Sequence, residues 1–313
     1  MLFLIMRWIG VLIFVLALAL AAAALALPPE TLEKVVRLRP DWPMAQRGVD
    51  AQGAPRDPEG TGIAIFEGGY VATNAHVIGK ATKVEAMLSD GTRVEAKIVA
   101  VDRDTDIALL KLGADLPVFE IAPKPAFAQP VCTIGNPFGL GLSVTCGVVS
   151  APSRAGVGFN LIEDFVQTDA AVNPGASGGA LVDQEGRLVG MLSAIFTKNS
   201  DSDIGVNFAT STKLLLRVAG DLREHGSVLS GDAGLILSRR PAFPGAVVAK
   251  VDPGGAAFAS GIKVGDRIVA IDGERLESPA HVATRLFMTR PGETLKLTTW
   301  RGSDPLDATL TMR

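Results

Sequence analysis

The sequence predicts a mainly β protein in which two barrel-like halves precede a smaller β domain. Between Gly60 and about Ala219, short runs of β-branched residues alternate with turn residues, and no helical period lies between them. A proline-rich stretch at 122–130 divides this region into two halves. A second region of short strands begins near Gly231. The 34 glycines fit a chain with many tight turns.

The first region contains several runs with the composition of strands. They are Gly62–Phe66, Tyr70–Thr73, Lys83–Leu88, Arg93–Val101, Ile107–Leu112, Val144–Ser150 and Leu188–Ile195. Repeated short strands without helices between them favour a sandwich or a barrel over an α/β fold. Each half has about the length that a six-stranded barrel needs. A helix with one apolar side is predicted at Lys213–Glu224, where it closes this domain.

The smaller domain is also predicted to be rich in strands. Its strands are Gly234–Leu237, Gly245–Val251, Arg267–Ile271, Thr294–Trp300 and Ala308–Met312. Two helices are predicted between them, one around Ala257 and Phe258 and one at 280–288. The whole chain therefore reads as two domains of the mainly β class.

The charge pattern argues against a nucleic-acid-binding protein. The chain has 30 Lys and Arg against 33 Asp and Glu, with a formal net charge of −3. A protein that binds nucleic acid usually carries a basic face or stripe, and the sequence has no such cluster. There is also no acidic tail and no long low-complexity run, so the exported chain is expected to be globular.

Residues 1–27 are predicted to export the chain to the cell envelope, the periplasm. Residues 8–27 form a 20-residue stretch without charge. As a helix this stretch would span roughly 30 Å, the thickness of the bilayer core, which favours an anchor in the inner membrane. The alternative is a cleaved signal peptide, because the small residues at 24–26 form a cleavage site before Pro28. Residues 28–59 are interpreted as a leader segment.

The two cysteines allow two interpretations. Cys132 and Cys146 lie in two strand-like runs that a hairpin would bring together, and an exported protein can keep a disulfide. The other interpretation, two small buried apolar side chains, is favoured here. A metal site is not expected, since two cysteines lack the further ligands that zinc needs.

Three segments carry side chains suited to nucleophilic catalysis. His76 follows a predicted strand, Asp106 directly precedes the apolar run Ile107–Leu112, and Ser177 lies among glycines at 173–179. A serine hydroxyl is a weak nucleophile unless a neutral imidazole takes its proton. That imidazole must be held in one tautomer by an ionised carboxylate. The three residue types in this order predict a serine hydrolase.

Composition narrows the choice of base and acid. His76 is the single histidine of the barrel region, because the other two lie beyond it. Of the three aspartates at 102, 104 and 106, Asp106 alone abuts the buried run, so it can be desolvated against the imidazole. Glycines around Ser177 allow the backbone of Gly175, Ala176 and Ser177 to form an oxyanion hole, with N–H groups from Gly175 and Ser177.

These segments resemble the HtrA/Deg family of serine proteases over nearly the whole chain. The matching stretches are Thr73-Asn-Ala-His76-Val, Thr105-Asp106-Ile-Ala-Leu-Leu, Gly135-Asn-Pro-Phe-Gly, Gln167-Thr-Asp-Ala-Ala-Val-Asn-Pro-Gly175 and Ser177-Gly-Gly-Ala-Leu-Val. The resemblance implies a chymotrypsin-like double six-stranded β-barrel at 60–226, followed by a PDZ domain, a small β-barrel with two helices, at 231–313. It implies His76 as general base, Asp106 as its orienting acid and Ser177 as nucleophile. Ala176 stands where the family usually has Asn.

The same resemblance implies the walls of a substrate pocket. They are Ala171, Val172, Ser193, Ala194, Ile195, Gly205, Val206 and Asn207. Because none of these residues is charged, cleavage is expected after small or aliphatic residues. Arg154 stands where relatives carry an activation-sensor arginine, and a solvated loop charge is the alternative.

The C-terminal domain resembles a PDZ domain that captures peptide C-termini by strand addition. Its peptide-binding residues are taken to be Gly234, Leu235, Ile236 and Leu237. Ile236 replaces the usual second glycine, and His281 on the flanking helix is interpreted as a surface residue. The resemblance further suggests a homotrimer and implies no cofactor.

Two functions from different classes follow from these observations. One is an endopeptidase that cleaves unfolded or specific envelope proteins in protein quality control or stress signalling. The other is a catalytically quiet PDZ scaffold or chaperone. The intact set of His76, Asp106 and Ser177 favours the endopeptidase.

Overall fold

Residues 35–112 fold into a closed six-stranded barrel, the first of the two that the sequence predicts. In this computed structural model the described residues are 27–44, 58–195, 205–238, 240 and 244–313. A short 3₁₀ helix, Pro29–Lys34, leads into the barrel. The strands are β1 (Val35–Pro40), β2 (Gly60–Phe66), β3 (Tyr70–Asn74), β4 (Val84–Met87), β5 (Arg93–Asp102) and β6 (Ile107–Leu112). They close in the order β1-β2-β3-β6-β5-β4, with a one-turn helix α1 (Ala75–Ile78) after β3.

The predicted leader segment at 28–59 is not outside this barrel. Its residues Val35–Pro40 form β1, which pairs with both β2 and β4. Val35, Val36 and Leu38 are buried because apolar side chains on this strand face the barrel interior or its outer packing layers. The first barrel therefore begins before Gly60, and β1 is the strand that closes it.

The second half forms another closed barrel of six strands. They are β7 (Pro130–Gly135), β8 (Ser143–Arg154), β9 (Phe165–Thr168), β10 (Ala180–Val182), β11 (Leu188–Ile195) and β12 (Asn207–Ser211). The strands close in the order β10-β11-β12-β9-β8-β7, and a 3₁₀ turn, Pro137–Gly139, connects β7 to β8. The predicted double barrel is thus confirmed.

A helix follows the second barrel at the position that the apolar spacing predicts. Helix α2 (Thr212–His225) begins after Ser211, whose hydroxyl accepts the Leu214 N–H, and ends at Gly226 in the left-handed region. Its buried side, which includes Leu215 and Val218, packs into the core cluster that both barrels share. The helix therefore contacts both barrels and stabilises their packing against each other.

The C-terminal domain is a sheet with two helices and its own core. Its elements are β13 (Leu235–Leu237), β14 (Ala246–Val251), α3 (Ala256–Ala259), β15 (Arg267–Ile271), β16 (Glu274–Arg275), α4 (Pro279–Phe287), β17 (Thr294–Arg301) and β18 (Asp304–Thr311). The strand order is β13-β14-β15-β17-β18, and β16 pairs with β15. Strand β13 lies at the edge of this sheet.

Two predictions about the termini and the cysteines have different outcomes. The predicted anchor or signal at 8–27 lies, apart from Leu27, outside the described residues. Among the residues that are described, no helix has the length and apolar character to cross a membrane. The favoured interpretation of the cysteines is wrong, because Cys132 and Cys146 face each other on β7 and β8 and form a disulfide.

Candidate active site

The pairing of β3 with β6 brings His76 and Asp106 together. β3 ends at Asn74, opposite Ile107 on β6, so the one-turn helix that carries His76 begins beside Asp106. The Asp106 carbonyl accepts the Ala75 N–H at 3.1 Å. Asp106 holds a left-handed backbone conformation, φ 59°, which is uncommon for a residue with a side chain and often marks a functional position.

The Asp106 carboxylate holds both the backbone and the ring of His76. Its Oδ1 accepts the His76 N–H at 2.9 Å, and its Oδ2 lies 2.7 Å from the ring Nδ1. Because a carboxylate can only accept, Nδ1 must carry the proton in this pair, and Nε2 is left with its lone pair. The carboxylate is 13% exposed and the imidazole 50% exposed, so the acid is shielded while the base remains open to a substrate.

Ser177 is seated against the beginning of β2. The Thr61 N–H donates to the Ser177 carbonyl at 2.9 Å. A Cβ on Gly178 would lie 2.0 Å from the Thr61 carbonyl oxygen, and a Cβ on Gly60 would lie 2.4 Å from Val77 beside His76. Close packing of these glycines thus draws the serine turn and the histidine helix to the same strand end. Within the described residues, Ser177 Oγ and His76 form no hydrogen bond, as is common before a substrate binds.

Three carbonyl contacts fix the peptide units of the turn before Ser177. The Ala176 N–H donates to the Asn173 carbonyl at 3.0 Å, and Phe138 N–H donates to the Pro174 carbonyl at 2.7 Å. The Thr61 hydroxyl donates to the Gly175 carbonyl at 2.7 Å. The carbonyls are therefore turned into the protein on the side away from the cleft.

The two backbone N–H groups predicted to form the oxyanion hole, those of Gly175 and Ser177, are available to a ligand. In the described part of the chain, the N–H groups of Gly175 and Ser177 have no acceptor, whereas the Ala176 N–H is bound within the turn. The Ala176 methyl group is buried in the core of the second barrel. Gly175 has φ 96°, a conformation that only glycine adopts without strain.

Of the predicted pocket residues, Ser193 lines a cavity beside His76. Asn207 lies behind the segment that precedes the serine turn and supports it. Ser193 is buried and lines the same cavity as His76. The Ala171 carbonyl accepts the Thr145 hydroxyl at 2.6 Å, which fixes the segment before the serine turn. Val172 is buried in the second barrel's core. Asn207 is fully buried and its amide donates to the Ala170 carbonyl at 2.9 Å, so it supports this segment from behind.

The remaining predicted pocket residues lie on either side of residues 196–204. Ala194 and Ile195 lie on β11, and Ile195 is opposite Asn207 on β12. Gly205 and Val206 directly precede β12. The residues between them, 196–204, lie outside the described residues.

One functional side chain that the sequence reasoning did not find is Glu163. It is 3% exposed, and its carboxylate accepts four backbone N–H groups of the loop before it, from Val157, Gly158, Phe159 and Asn160, at 2.6–3.0 Å. A buried carboxylate satisfied by backbone N–H groups fixes the loop around it. The available sequence signal was a pair of acids, Glu163 and Asp164, at the end of a stretch that contains glycines and apolar residues.

The loop that Glu163 holds reaches the segment that carries Asp106. The Asn160 side chain donates to the Thr105 carbonyl at 3.3 Å, one residue before Asp106. Phe159 packs on Phe165 and Phe208 of the second barrel, with ring centroids 6.4 and 5.7 Å away. The loop therefore joins the second barrel to the segment that carries Asp106.

The peptide-binding residues predicted in the C-terminal domain lie at the edge of its sheet. β13 pairs with β14 on one side, and its other edge is not paired with any described strand. Ile236 is 53% exposed on this strand. The N–H of Gly234, predicted to hold a peptide carboxylate, already donates to the Asp232 side chain at 2.7 Å. A negatively charged group of the protein itself thus satisfies the first of these donors.

The C-terminal domain contacts the loop beside the cleft. The Thr284 hydroxyl on α4 donates to the Glu163 carbonyl at 2.8 Å. His281 is not a plain surface residue, because its Nε2 lies 3.3 Å from the Ser153 hydroxyl at the end of β8. Arg154, the predicted sensor position, is exposed and its Nε donates to Gln167 at 3.1 Å.

A further contact joins α2 to the C-terminal domain. Asp221 on α2 is fully buried and binds Arg217 and Arg290, the second of which belongs to the C-terminal domain. The Asp221 carboxylate also accepts the Leu229 N–H at 2.8 Å from the connecting segment. A charged cluster thus fastens the helix, the connection and the C-terminal domain.

The described residues contain no group of three or more His, Cys, Asp or Glu side chains arranged to hold a metal ion.

Comparison with known proteins divides the chain into the same two domains. The family model of the trypsin-like peptidase domain matches residues 60–191, and that of the PDZ domain matches residues 202–312. A probable periplasmic serine endoprotease DegP-like of Halomonas elongata is 35% identical over 278 residues, which cover 85% of this chain and 58% of that protein. The periplasmic pH-dependent serine endoprotease DegQ of Escherichia coli is 34% identical, over 84% of this chain and 61% of that protein. The chain thus spans about three-fifths of the length of these relatives.

Solved structures agree with these matches. The HtrA-type protease AlgW with a bound tripeptide superposes with a TM-score of 0.70 at 34% identity, covering 90% of this chain and 93% of that chain. A serine endoprotease from Yersinia pestis superposes with a TM-score of 0.62 at 31% identity, covering 90% and 96%. With a trypsin-like double barrel, a PDZ domain and relatives of this kind over nearly its whole length, the chain belongs to the HtrA family of serine proteases.

Proposed function

We propose that the chain is a serine endopeptidase in which His76, Asp106 and Ser177 form the catalytic triad. The observation that carries the proposal is the grip of Asp106 on His76, through the ring Nδ1 at 2.7 Å and the backbone N–H at 2.9 Å. This grip fixes one tautomer and one ring orientation, which a general base needs and a structural histidine does not.

In this proposal, peptide hydrolysis proceeds through an acyl-enzyme. His76 Nε2 takes the proton of Ser177 Oγ as that oxygen attacks the scissile carbonyl carbon. The carbonyl oxygen becomes an anion, which the N–H groups of Gly175 and Ser177 stabilise. His76 then returns the proton to the leaving amine, and water repeats the attack on the acyl-enzyme. Asp106 stays ionised and stabilises the imidazolium that forms in both halves.

Cleavage is expected after Ala, Val or Leu and rarely after Lys or Arg. Ala171, Ser193 and Asn207 place no carboxylate around the pocket. A Lys or Arg side chain would therefore be desolvated without a partner, which is costly. Mass mapping of the fragments of an unfolded substrate checks this preference, and a dominant set of cuts after Arg would contradict it.

The PDZ domain is proposed to bind extended peptides along the open edge of β13, including the C-termini of polypeptides. Backbone pairing supplies affinity, and the groove beside α4 accepts an apolar side chain. Binding can regulate the protease only if the peptide prefers the active arrangement, since equal affinity for two arrangements shifts neither. The contacts of α4 with Ser153 and Glu163 are the route by which this preference would reach the cleft.

The setting is proposed to be the periplasm, with residues 8–27 as an inner-membrane anchor or a signal peptide. The relatives are named as periplasmic endoproteases. Unfolded or specific envelope proteins are the expected substrates, and a homotrimer the expected assembly. Fractionation of cells that express the full chain tests the location, and light scattering tests the assembly.

The deciding experiment compares the full chain with Ser177→Ala. The variant removes the nucleophile and adds no bulk, so it should fold normally, bind PDZ peptides and lose both casein cleavage and labelling by a fluorophosphonate. A matched control is Ser89→Ala, which removes an exposed hydroxyl outside the triad. Cleavage by Ser177→Ala above background would show that another group is the nucleophile.

A further inference from the structure

An open cavity of about 350 Å³ lies beside His76. Its lining includes His76, Asp106, Arg103, Phe159, Asn160 and Ser193. The triad mechanism uses the first two of these residues and gives no role to the others. Side chains from both barrels thus meet at a space that a bound substrate must pass.

The cavity lining carries one cation, Arg103, and one anion, the carboxylate of Asp106, which is shielded behind His76. Arg103 is exposed, and its Nη2 donates to the Gly79 carbonyl at 3.2 Å. In the part of the chain that the structure describes, no carboxylate pairs with this guanidinium. Asp106 is the acid of the lining, and both of its oxygens are engaged by His76. Asp102, next to Arg103, accepts the Thr105 N–H and hydroxyl instead.

The opposite wall of the cavity is fixed by Glu163. The four N–H groups that its carboxylate accepts belong to the loop 157–160, so Phe159 and Asn160 are held at the cavity by one buried side chain. The negative charge of Glu163 is enclosed within that loop and does not line the cavity. The space is therefore rigid on one side and cationic on the other.

We propose that this cavity is a substrate subsite that selects an acidic side chain, Asp or Glu, through Arg103, and that Glu163 is the residue that positions its wall. The proposal rests on the proposed peptidase function and names a substrate feature of the same site. Successive side chains of an extended substrate point to opposite sides. When one side chain enters the pocket beside Ala171, its neighbour on the amino side points toward His76 and meets Arg103.

The test uses fluorogenic peptides that differ only at this neighbouring position, with Asp, Asn or Lys, and measures kcat/KM with the full chain. Asp and Asn have the same shape, so their ratio reports charge alone. We expect Asp to exceed Asn by about three- to tenfold at low salt, and the ratio to fall as salt screens the charge. Arg103→Ala should bring the ratio to about one, and Arg103→Glu should favour Lys. Lys80→Ala, which removes the same charge from an exposed position outside the cavity, should keep the ratio.

Glu163 is tested by the same ratio. Glu163→Ala should lower the Asp-to-Asn ratio and raise KM more than it lowers kcat, because the wall is lost and the triad remains. Glu163→Gln keeps an oxygen acceptor of the same shape and should restore most of the ratio, which a general loss of stability would not allow.

Failure of the subsite and failure of the peptidase function give different results. The affinities of the same peptides for Ser177→Ala, measured by fluorescence anisotropy, report the subsite without cleavage. If no Ser177-dependent cleavage occurs, the peptidase function fails while this measurement still decides the subsite. Equal kcat/KM and equal affinity for Asp and Asn, or a preference for Asp that survives in Arg103→Ala, would overturn the subsite.

Discussion

At the scale of single residues, three carboxylates of the chain have their hydrogen-bonding capacity satisfied in different ways. Asp106 accepts from one histidine twice, and Glu163 accepts from four backbone N–H groups. Asp232 accepts from the glycine that was expected to bind a ligand. The same functional group therefore holds a histidine ring, fixes a loop or binds the N–H of Gly234, according to the donors around it.

Asp106→Asn should leave the fold intact and lower kcat by about 10⁴. The amide can donate to the ring Nδ1, so it would favour the tautomer in which Nε2 carries the proton and cannot act as a base. Hydrolysis of a peptide substrate, followed against pH, measures the loss. Asp104→Asn, a change at an exposed aspartate two residues away, is the control and should have little effect. An Asp106→Asn enzyme of normal kcat would mean that Asp106 does not orient His76.

Asp232→Ala should increase the preference of the PDZ domain for peptides with a free C-terminal carboxylate. In the native chain the Gly234 N–H is already bound to Asp232, and the aspartate repels an incoming carboxylate. We expect the native chain to bind free-acid and amidated forms of one apolar peptide almost equally. The variant should favour the free acid by about three- to tenfold, because one N–H donor is released and one negative charge is removed. Calorimetric titration of both peptides measures the ratio, and an unchanged ratio would show that the Gly234 N–H takes no part in binding.

At the scale of elements, the strands and the pairing of His76 with Asp106 could be predicted, and several other contacts could not. The spacing of apolar side chains predicts the strand Ile107–Leu112 and the helix Lys213–Glu224. In the structure the ends of both elements lie within one residue of the predicted ends. The His76 and Asp106 pairing was predictable because each residue adjoins a strand end. β1 was not predicted, because a single strand of six residues is too short to show a clear alternation of apolar and polar side chains. Glu163 and Asp232 were missed because their partners are backbone N–H groups, which no side-chain pattern records.

The disulfide was also missed, for a reason of register. The sequence allows β7 and β8 to form a hairpin, but it does not say that Cys132 lies directly opposite Cys146. A shift by one residue would put the two side chains on opposite faces of the sheet. Register here depends on the connection at 136–142, whose Asn136 amide oxygen accepts the Gly141 N–H. Such a side-chain-bridged turn is set by tertiary structure.

Replacing both cysteines with alanine should lower the free energy of unfolding by about 3 kcal/mol, the loop-closure effect of a disulfide that spans 14 residues. The hairpin also carries Phe138, whose N–H binds the turn before Ser177, so part of the loss should appear as lower activity. Denaturant unfolding with and without a reductant measures the effect. The reductant should destabilise the native chain to about the level of the double variant and leave the variant unchanged. A native chain insensitive to the reductant would contradict the prediction.

At the scale of the whole molecule, the two domains are joined by polar contacts around one buried carboxylate. Asp221 of α2 binds Arg290 of the C-terminal domain and the N–H of Leu229 in the connection. The Arg217 side chain, which binds the same carboxylate, also donates to the carbonyls of Leu229 and Met288. Phe287 and Met288 of the C-terminal domain also pack against the core cluster that both barrels share, so the contact between the domains has an apolar part as well.

Asp221 also makes the contact between the domains sensitive to acid. Burial by itself raises the pKa of its carboxyl, but hydrogen bonds from Arg290, the Leu229 N–H and Arg217 outweigh burial and hold the pKa below the ordinary 3.8. A carboxyl whose pKa is lowered by folding stabilises the folded state above its unfolded value. That stabilisation is lost as the pH falls through the lower, folded value. The contact should therefore persist at neutral pH and weaken below about pH 3.8.

Asp221→Asn should reproduce this acid effect at neutral pH by removing the charge while keeping the shape. We expect a loss of about 1–3 kcal/mol, since a broken buried pair is costly but Arg290 is partly hydrated. Calorimetry should then resolve separate transitions for the two domains, and a protease should cut the connection at 226–233 faster. Asp266→Asn is the matched control, because Asp266 is a buried carboxylate paired with Arg301 inside the C-terminal domain. It should lower the melting temperature of that domain without making the connection easier to cut. If Asp221→Asn melts in one transition and resists cleavage like the native chain, the domains are held together by other contacts, and Asp221 only stabilises the end of α2.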